Sequence, residues 1–376
     1  MYKYIIGCLL LLNACTASLQ KNETTEVPLQ TIRPKYAKGF WIEVFETHKT
    51  IHIRNTYDTT QILDTYVIAN ASEKPNTNNT FIAQPIQKNV CLSTTQIGFL
   101  ELLHLTDSII ALSDTKRIFN AAILQNIAAG KTSSIGNNGI VSEEKLLALK
   151  PSVVFAYSFS EGNSHLPKLR SMGLNIVLIN DYNETHPLAR AEWIKMIAAF
   201  YDKEQLADSI FTSIETTYLQ LAAQVAGKQN KPTVFCNLPW KEVWYMPSGN
   251  SYFAKFIEDA GGNFLWKETS TTRTLNLDFE AVFLKAANAS VWLNPNSAKT
   301  LQEIADQNLK FKNFNAFKNN QIFNCNKLEN SDGGNAFWET GVVQPQLVLK
   351  DLISIFHPDV LPNHTFVYYQ KLGNGK

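Results

Sequence analysis

The sequence predicts an α/β protein built from two α/β lobes that a single long helix joins. Short apolar segments alternate with short helical segments in both halves of the chain, a pattern typical of βαβ units with a largely parallel sheet. A continuous amphipathic segment separates the two series. In addition, 376 residues are more than one core usually covers, so two domains are expected.

The expected boundaries follow from these patterns. We expect a signal peptide over residues 1–14, a lipidated tether over 15–31, an N-terminal α/β lobe over 32–185, a helical connection over 186–228 and a C-terminal α/β lobe over 229–376.

The N-terminus has the pattern of an export signal. Lys3 precedes the apolar run Ile5–Leu12, which is too short for a membrane span, since a span needs about 20 apolar residues. Leu12-Asn13-Ala14-Cys15 resembles a bacterial lipobox, which makes Cys15 the expected lipidation site; the alternative is a secretory signal with an incidental cysteine. We therefore expect a periplasmic lipoprotein of the cell envelope, anchored through Cys15 to the inner or the outer membrane.

The first strands precede the alternating pattern. Phe40–Asn55 predicts one or two strands and Thr65–Asn70 another, and the sequence assigns them no function. His48 and His52 lie four residues apart within this region. On a strand that spacing separates them by roughly 13 Å, so we expect no shared metal ion.

Strands and helices alternate from residue 89 onwards. The strands predicted for the N-terminal lobe are Asn89–Leu92, Ser108–Leu112, Thr132–Ile135, Val153–Tyr157 and Asn175–Ile179. The helices predicted between them are Gln96–His104, Ile118–Ala129, Ser142–Leu149 and Leu166–Met172. Gly130 and Gly173 follow two of these helices and are expected to end them.

Two helices are predicted between the lobes, His186–Phe200 and Lys203–Ala226. The second has apolar residues every three or four positions and a length of roughly 36 Å, enough to cross between lobes.

The second lobe repeats the alternation of strands and helices seen in the first. Its predicted elements are the strands Thr233–Asn237, Glu242–Met246, Ser290–Leu293 and Gln321–Cys325 and the helices Ser251–Ala260, Phe279–Ala287 and Gln346–Phe356.

Charge and cysteine content exclude some classes of function. Loss of Lys3 with the signal leaves 33 of the 34 basic residues against 33 acidic ones, and no basic stripe is present, so we expect no nucleic-acid partner. Cys91, Cys236 and Cys325 each lie in an apolar, strand-like run. They are expected to be buried thiols, while a Cys236–Cys325 disulfide stays open.

The sequence contains no signature of catalysis. It has no His/Cys cluster with metal-ligand spacing and no Gly-x-Ser-x-Gly motif of a nucleophilic serine. It also has no pair of carboxylates whose spacing indicates general acid–base catalysis. We therefore expect no enzymatic activity, no cofactor and no metal held by protein side chains.

Several aromatic residues follow predicted strands. In open α/β sheets ligands bind beyond the carboxyl ends of the strands, so aromatic residues there are candidates for lining a cleft. About half of those in these loops are expected to be packing residues instead. Arg273 is a candidate for binding an anionic ligand, because its planar guanidinium can donate two parallel hydrogen bonds to a carboxylate. The candidate ligand-binding residues are Tyr157, Trp240, Tyr245, Arg273 and Trp338.

Four segments occur in an order that resembles one protein family. They are Arg117–Tyr157, with the motif SEEKLLALKP; Lys241–Trp266; Asn276–Asn294, with LDFEAVF; and the tail that begins GGNAFWETGV. Together they resemble periplasmic-binding proteins of the siderophore, haem and vitamin B12 class, in the style of Bacteroidetes lipoproteins. The resemblance covers roughly residues 90–370.

This resemblance implies the class III periplasmic-binding-protein fold, with two Rossmann-like lobes joined by a single long rigid helix. The rigid helix allows only a small closure of the lobes around a ligand. It also implies one surface glutamate on each lobe that pairs with arginines of an ABC permease. By motif position these are Glu144 and Glu280, and the adjacent Glu143 is a substitute for the first.

The resemblance also addresses the ligand. The strand-end aromatic of vitamin B12-binding relatives falls on Tyr157, and an aromatic at the entry of the second lobe falls near Tyr245. The aromatic that stacks on the corrin falls at Asn138, which is not aromatic. A ferric siderophore therefore ranks before cobalamin or haem.

The leading hypothesis is a monomeric solute-binding component of an ABC importer for a small metal chelate. One alternative is a surface-exposed accessory lipoprotein that passes its ligand to an outer-membrane receptor. A metal-dependent enzyme on the same scaffold is the other.

Overall fold

The computed structural model describes residues 26–137, 140–158 and 165–373. It confirms the predicted α/β architecture, with a mostly parallel sheet in each lobe, and adds a separate sheet at the N-terminus. Within these ranges, none of the helices combines the length and the apolar character that a membrane span requires. Cys15 and the signal region lie outside the described residues.

The N-terminal sheet contains five strands in chain order. They are β1 (Gln30–Ile32), β2 (Phe40–Val44), β3 (Lys49–Arg54), β4 (Ile62–Asn70) and β5 (Thr80–Gln84). All neighbours are antiparallel except β4 and β5. The first strand of the described residues, β1, begins at Gln30 and pairs with β2, so it starts inside the range predicted as tether. His52 lies on β3 and stacks on Trp41, whereas His48 lies before this strand and stacks on Phe45.

The N-terminal lobe has a five-stranded parallel sheet. Its elements are β6 (Asn89–Cys91), α1 (Thr95–Leu102), β7 (Ile109–Leu112), α2 (Ala121–Ala128), β8 (Ser133–Ser134), β9 (Gly136–Asn137), β10 (Ile140–Val141), α3 (Glu143–Leu149), β11 (Val153–Ala156), α4 (His165–Ser171) and β12 (Ile176–Leu178). The strand order β12-β11-β6-β7-β8 is that of a doubly wound Rossmann sheet. The strands β9 and β10 form a separate antiparallel pair.

Two helices follow the first lobe. They are α5 (Pro187–Ala199), which is almost completely buried, and α6 (Glu204–Val225), which has 22 residues. The buried residues of α6 recur every three or four positions, so one face is apolar and the other is solvated, as the sequence predicts. At about 1.5 Å per residue, α6 is about 33 Å long.

The C-terminal lobe has a second mostly parallel sheet. Its elements are β13 (Thr233–Cys236), β14 (Trp244–Met246), α7 (Tyr252–Asp259), β15 (Asn263–Phe264), β16 (Leu275–Leu277), α8 (Phe279–Ala286), β17 (Val291–Leu293), α9 (Leu301–Gln307), α10 (Asn315–Lys318), β18 (Ile322–Asn324), α11 (Pro345–Phe356) and β19 (Gln370–Lys371). The strand order is β15-β13-β17-β18-β19, and only the last pair is antiparallel. The strands β14 and β16 form a separate antiparallel pair. The helix α6 packs against both α5 and α11, so it connects the lobes.

Aromatic side chains fill the core of the C-terminal lobe. Trp244 and Trp292 are fully buried, and each indole N–H donates to a backbone carbonyl, that of Cys236 at 2.8 Å and that of Asn237 at 2.7 Å. A buried indole that keeps a hydrogen-bond partner adds apolar contact without an unpaired donor. Cys236 and Cys325 are buried free thiols, so the disulfide that the sequence left open is not formed.

The lobes also meet in a second contact, which we call the clasp. It joins residues 95–98 and 117–120 of the N-terminal lobe to residues 330–341 of the C-terminal lobe, which include a π-helix over Phe337–Gly341. The buried Glu339 carboxylate accepts the backbone N–H groups of Phe119 at 2.6 Å and Asn120 at 2.8 Å. The lobes are therefore joined in two ways, through α6 and through the hydrogen bonds that backbone groups make in the clasp.

Candidate functional site

Two adjoining chambers lie between the lobes. The first, the tyrosine chamber, has a volume of about 350 Å³ and is lined by Tyr57, Tyr182, Tyr245, Tyr252 and Phe253, among others. The second, the polar chamber, has a volume of about 400 Å³ and is lined by Lys38, Arg273, Glu184 and neutral polar residues. Tyr57, Asn183 and Asn250 line both chambers, so the two form one cleft. Each volume lies within the range typical of small-molecule sites, about 300–1,000 Å³.

Strand ends and strand alternation place the tyrosines. Tyr182 lies in a short 3₁₀ turn that follows β12, at the carboxyl end of the sheet where doubly wound folds bind ligands. Tyr245 is the central residue of β14, between the buried Trp244 and Met246. Because successive side chains of a strand point to opposite faces, the buried neighbours direct Tyr245 into the cleft, where it is 41% exposed.

A buried ion pair lines the tyrosine chamber. Arg190 donates to Asp181 through Nη2 at 2.9 Å, and its guanidinium lies 4.5 Å from the ring centroid of Tyr252 across the lobe boundary. Burial raises the pKa of Asp181, while the neighbouring Arg190 opposes that shift. Since Arg190 already has a carboxylate partner and an aromatic one, it is not a free cation for a ligand.

Two hydroxyl groups of the tyrosine chamber have no hydrogen-bond partner among the described residues. They are Ser248 Oγ and the Tyr252 hydroxyl, and both residues are more than 90% buried. Buried polar groups are usually paired, so unpaired ones at a cleft are candidates for contact with a ligand. This chamber offers a ligand both aromatic faces and hydroxyl groups.

The structure brings some of the candidate residues to the cleft. Tyr245 lines the tyrosine chamber, and Arg273 lines the polar chamber. Tyr157 packs edge to face against Tyr182, with ring centroids 6.2 Å apart, and therefore lies one residue behind the chamber wall. Asn138 lies outside the described residues.

The two tryptophan candidates do not line either chamber. Trp338 is 42% exposed and lies beside Phe253, with ring centroids 6.4 Å apart. Trp240 is 66% exposed, in a tight turn whose backbone N–H and C=O groups pair with those of Val243. Asn237 and Lys241, on either side of Trp240, both have positive φ values, as tight changes of chain direction often require.

Sequence reasoning missed Tyr57, Tyr182 and Tyr252 as lining residues. For Tyr182 a signal was present, since it follows the short strand β12 and the rule used for Tyr157 applies equally to it. Tyr57 belongs to the N-terminal sheet, and nothing in the sequence indicates how that sheet lies relative to the lobes.

The two glutamates expected to dock a permease occupy equivalent positions. Glu144 lies in the first turn of α3 and Glu280 in the first turn of α8, and both are exposed. Glu280 Oε1 lies 3.8 Å from Lys310 Nζ, which is too long for a strong ion pair, so the carboxylate stays accessible to another partner. By contrast, Glu143 pairs with Lys168 at 2.7 Å, which makes it less available than Glu144.

The described residues contain no group of three or more His, Cys, Asp or Glu side chains that could hold a metal ion.

Comparison with known proteins identifies the family. The sequence model of the periplasmic binding protein family matches residues 90–328, more than half of the chain. The chain belongs to the periplasmic binding protein family. Among curated proteins, an uncharacterized lipoprotein of Methanocaldococcus jannaschii is 28% identical over 311 residues, which cover 80% of this chain and 72% of the relative.

Solved structures of the family share the fold. A possible iron-binding, periplasmic solute-binding protein of Staphylococcus epidermidis superposes with a TM-score of 0.56 at 18% identity, covering 72% of this chain and 99% of that one. A periplasmic heme-binding protein of Pseudomonas aeruginosa gives a TM-score of 0.57 at 14% identity, covering 73% and 94%. These similarities confirm the predicted class III periplasmic-binding-protein fold.

Proposed function

We propose that the protein is the solute-binding component of an ABC importer and captures a metal chelate in the cleft between its lobes. A ferric siderophore is the first candidate ligand, followed by cobalamin and haem. The observation that carries the proposal is the cleft itself, in which tyrosine rings, two unpaired buried hydroxyls and a basic rim converge within a periplasmic-binding-protein fold.

The lining favours a siderophore over haem. The porphyrin faces of haem are broad and apolar, so haem sites are built mainly from apolar side chains. In this cleft Tyr, Thr, Asn and Ser hydroxyls and amides dominate, and two cations, Lys38 and Arg273, line the polar chamber. A chelate with many oxygen atoms at its surface satisfies such groups better.

The surface of the lobes supports a permease partner. Glu144 and Glu280 present exposed carboxylates in first helical turns, one on each lobe, and we propose that both pair with arginines of the permease. An exposed ion pair contributes only about 0–1 kcal/mol, so these contacts set orientation more than affinity. We also propose that Cys15 is lipidated and holds a monomer near its permease, which raises the effective concentration there.

A thermal-shift screen of the whole chain tests this function. Ferric siderophores, cobalamin and haem are added, with the iron-free siderophores as controls. Ligand at about 100 times its dissociation constant adds about 2.7 kcal/mol, which for a chain of this size raises Tm by about 4 °C. Absence of stabilisation by every chelate at saturating concentration would contradict the proposal.

Two exposed aromatics give a matched pair of variants for the same screen. We expect Tyr245→Ala, in the tyrosine chamber, to remove most of the ligand-induced shift, whereas Trp240→Ala, on the nearby turn outside the chambers, keeps it. Loss of the shift in both variants would restore Trp240 as a ligand contact.

A further inference from the structure

The N-terminal sheet takes part in lining the cleft, although it precedes the residues that match the family. The family match begins at residue 90, whereas the five strands of this sheet end at residue 84. Lys38, Thr56 and Tyr57 come from this sheet and its connections, and all three line the polar chamber. Tyr57 also lines the tyrosine chamber.

Two buried carboxylates fix the sheet against the N-terminal lobe. The backbone N–H groups of residues 35–37 donate to the side chain of Glu192 over 2.7–3.0 Å. The next two, those of Lys38 and Gly39, donate to Glu184 at 2.9 Å each. Glu192 and Glu184 are 0% and 3% exposed. Charge-assisted hydrogen bonds in such a buried setting hold the backbone of Lys38 in one place at the rim of the cleft.

Close packing adds to this attachment. A Cβ atom at Gly39 would lie 2.5 Å from the ring of Trp193, so only glycine allows the chain to approach the lobe this closely. The Trp193 indole N–H donates to the same Glu184 carboxylate at 3.1 Å. The sheet is therefore packed on the lobe rather than suspended beside it.

The loop that carries Tyr57 is held by its own hydrogen bonds. Asn55 Oδ1 accepts the backbone N–H of Tyr57 at 2.9 Å, and the Asn55 backbone N–H donates to the carbonyl of Gln61 at 2.9 Å. The Thr56 hydroxyl donates to the carbonyl of Asn183 in the N-terminal lobe at 3.2 Å. The Tyr57 ring, which is 57% exposed, is thus presented to the cleft on a preformed support.

The polar chamber carries two available cations. Lys38 comes from the N-terminal sheet and Arg273 from the loop before β16, and neither forms an ion pair with a carboxylate among the described residues. Glu184 also lines this chamber, and its carboxylate accepts the N–H groups named above. Burial raises the pKa of Glu184, and the charge of Lys38 opposes that shift, so Lys38 acts on this carboxyl without forming an ion pair with it. The remaining lining residues are neutral, namely Thr56, Tyr57, Asn183, Thr185, Asn250 and the run 270–272.

We propose that the N-terminal sheet is a third wall of the cleft and that Lys38, together with Arg273, selects chelates with anionic oxygen groups at their surface. Tyr57 contributes a flat face against the ligand. This inference rests on the proposed function, because it concerns the same cleft. Lysine attracts an anionic group as a compact charge and arginine through its planar fork, so carboxylates and catecholates are favoured over cationic chelates.

Equilibrium titrations with two ferric chelates of opposite charge test the third wall. The probes are ferric enterobactin, a net anionic catecholate, and ferrioxamine B, a net cationic hydroxamate. We expect wild-type protein to prefer the anionic probe, and Lys38→Glu to lower its affinity for that probe about 10-fold. Lys74→Glu is the matched control, because it changes the same charge on the same sheet, where Lys74 lies over the Phe81 ring away from the cleft.

Tyr57→Ala tests the aromatic face of the wall. We expect it to lower the affinity for the anionic probe about 5-fold, with Ile62→Ala as control, since Ile62 is 54% exposed and does not line either chamber. All four substituted side chains are exposed, so each variant should keep the wild-type Tm without ligand.

The outcomes separate the inference from the proposed function. Equal affinities of wild type, Lys38→Glu and Tyr57→Ala for the anionic probe would overturn the third wall and leave the function standing. An effect of Lys74→Glu as large as that of Lys38→Glu would also overturn it, since the cause would then be overall charge. Failure of wild-type protein to bind either ferric chelate, cobalamin or haem would overturn both.

Discussion

At the clasp the lobes are joined through backbone groups, whereas at the cleft they face each other through side chains. Glu339 accepts two backbone N–H groups of the N-terminal lobe, and Asn330 Nδ2 donates to the carbonyl of Ile118 at 2.7 Å. Across the cleft, the Arg190 guanidinium lies over the Tyr252 ring. Backbone contacts fix the position of whole elements, while side chains can rearrange locally, so we expect adaptation to a ligand to occur mainly at the cleft.

The first prediction breaks the clasp. A Cβ atom at Gly98 in α1 would lie 2.1 Å from the carbonyl oxygen of Glu339, which is backbone and cannot turn away. We expect Gly98→Ala to lower the free energy of unfolding by about 3 kcal/mol, as overpacking does. Chemical denaturation measures it, with Gly227→Ala as control, because a Cβ there meets no atom within 4 Å. A change below about 0.5 kcal/mol, as for a surface substitution, would show that the clasp is not rigid.

The second prediction concerns the pH dependence of the clasp. Burial raises the pKa of Glu339 to about 7, although the N–H groups of Phe119 and Asn120 oppose the shift. A carboxyl group whose pKa is raised by folding binds protons more tightly in the folded state. Its contribution therefore stabilises the protein as the pH falls from about 7 towards its ordinary value of 4.5, and this gain is lost as the pH rises again.

Glu339→Gln isolates this contribution. We expect the difference in unfolding free energy between wild type and variant to change by no more than about 4 kcal/mol between pH 7 and pH 4.5, at about 1.4 kcal/mol for each unit of pKa difference. Denaturation curves at several pH values measure it. A difference that is constant with pH would mean that Glu339 keeps its ordinary pKa.

The third prediction tests the cleft side. The Tyr252 hydroxyl is buried without a hydrogen-bond partner among the described residues. Tyr252→Phe should therefore leave the ligand-free protein as stable as wild type and lower ligand affinity about 5- to 10-fold, because a ligand group that paired with the hydroxyl loses its partner. Titration calorimetry with the chelate that gives the largest thermal shift measures the affinity.

Tyr218→Phe is the matched control for this prediction. Tyr218 lies on α6 and does not line either chamber, and its hydroxyl donates to Asp259 of α7 at 2.8 Å. We expect it to cost about 1 kcal/mol of stability and to leave the affinity unchanged. If Tyr218→Phe lowered the affinity and Tyr252→Phe did not, the ligand would bind outside the tyrosine chamber.

The smallest effect is expected at Glu144 and Glu280, the two glutamates that we propose pair with a permease. On this proposal, the clasp keeps the two carboxylates at one spacing, so that both reach the permease together. Each exposed pair typically contributes about 0.2–1 kcal/mol, so Glu144→Ala with Glu280→Ala should reduce uptake in cells about 2- to 30-fold and leave ligand affinity unchanged. Glu143→Ala is the control, since Glu143 already pairs with Lys168. Unchanged uptake would favour an accessory lipoprotein that serves an outer-membrane receptor.

Local patterns in the sequence predicted most of the elements, because apolar periodicity and capping residues are short-range properties. The range predicted for the connecting helix, Lys203–Ala226, differs from α6 by one residue at each end. Strand β1 was assigned to the tether, because three residues with partly exposed side chains leave no apolar pattern. The π-helix over Phe337–Gly341 lies in a segment that the sequence predicts as a loop, because five residues are too few to show a helical period.

The cleft was less predictable than the fold. Tyr245 and Arg273 were identified because each lies in a loop or strand of the second lobe near the carboxyl ends of the sheet. Tyr57 could not be found this way, since its position depends on how the N-terminal sheet packs through Glu184 and Glu192, more than a hundred residues away. Contacts of that range leave no periodic signal.

The central claim is that a metal chelate binds between the lobes. Crystals of the whole chain with the chelate that gives the largest thermal shift, measured at the absorption edge of its metal, test it directly. The account predicts one anomalous-scattering peak between Tyr57 and Tyr182 on one side and Tyr245 on the other. A peak elsewhere on the molecule would contradict it, as would a stabilised protein with no peak in the cleft.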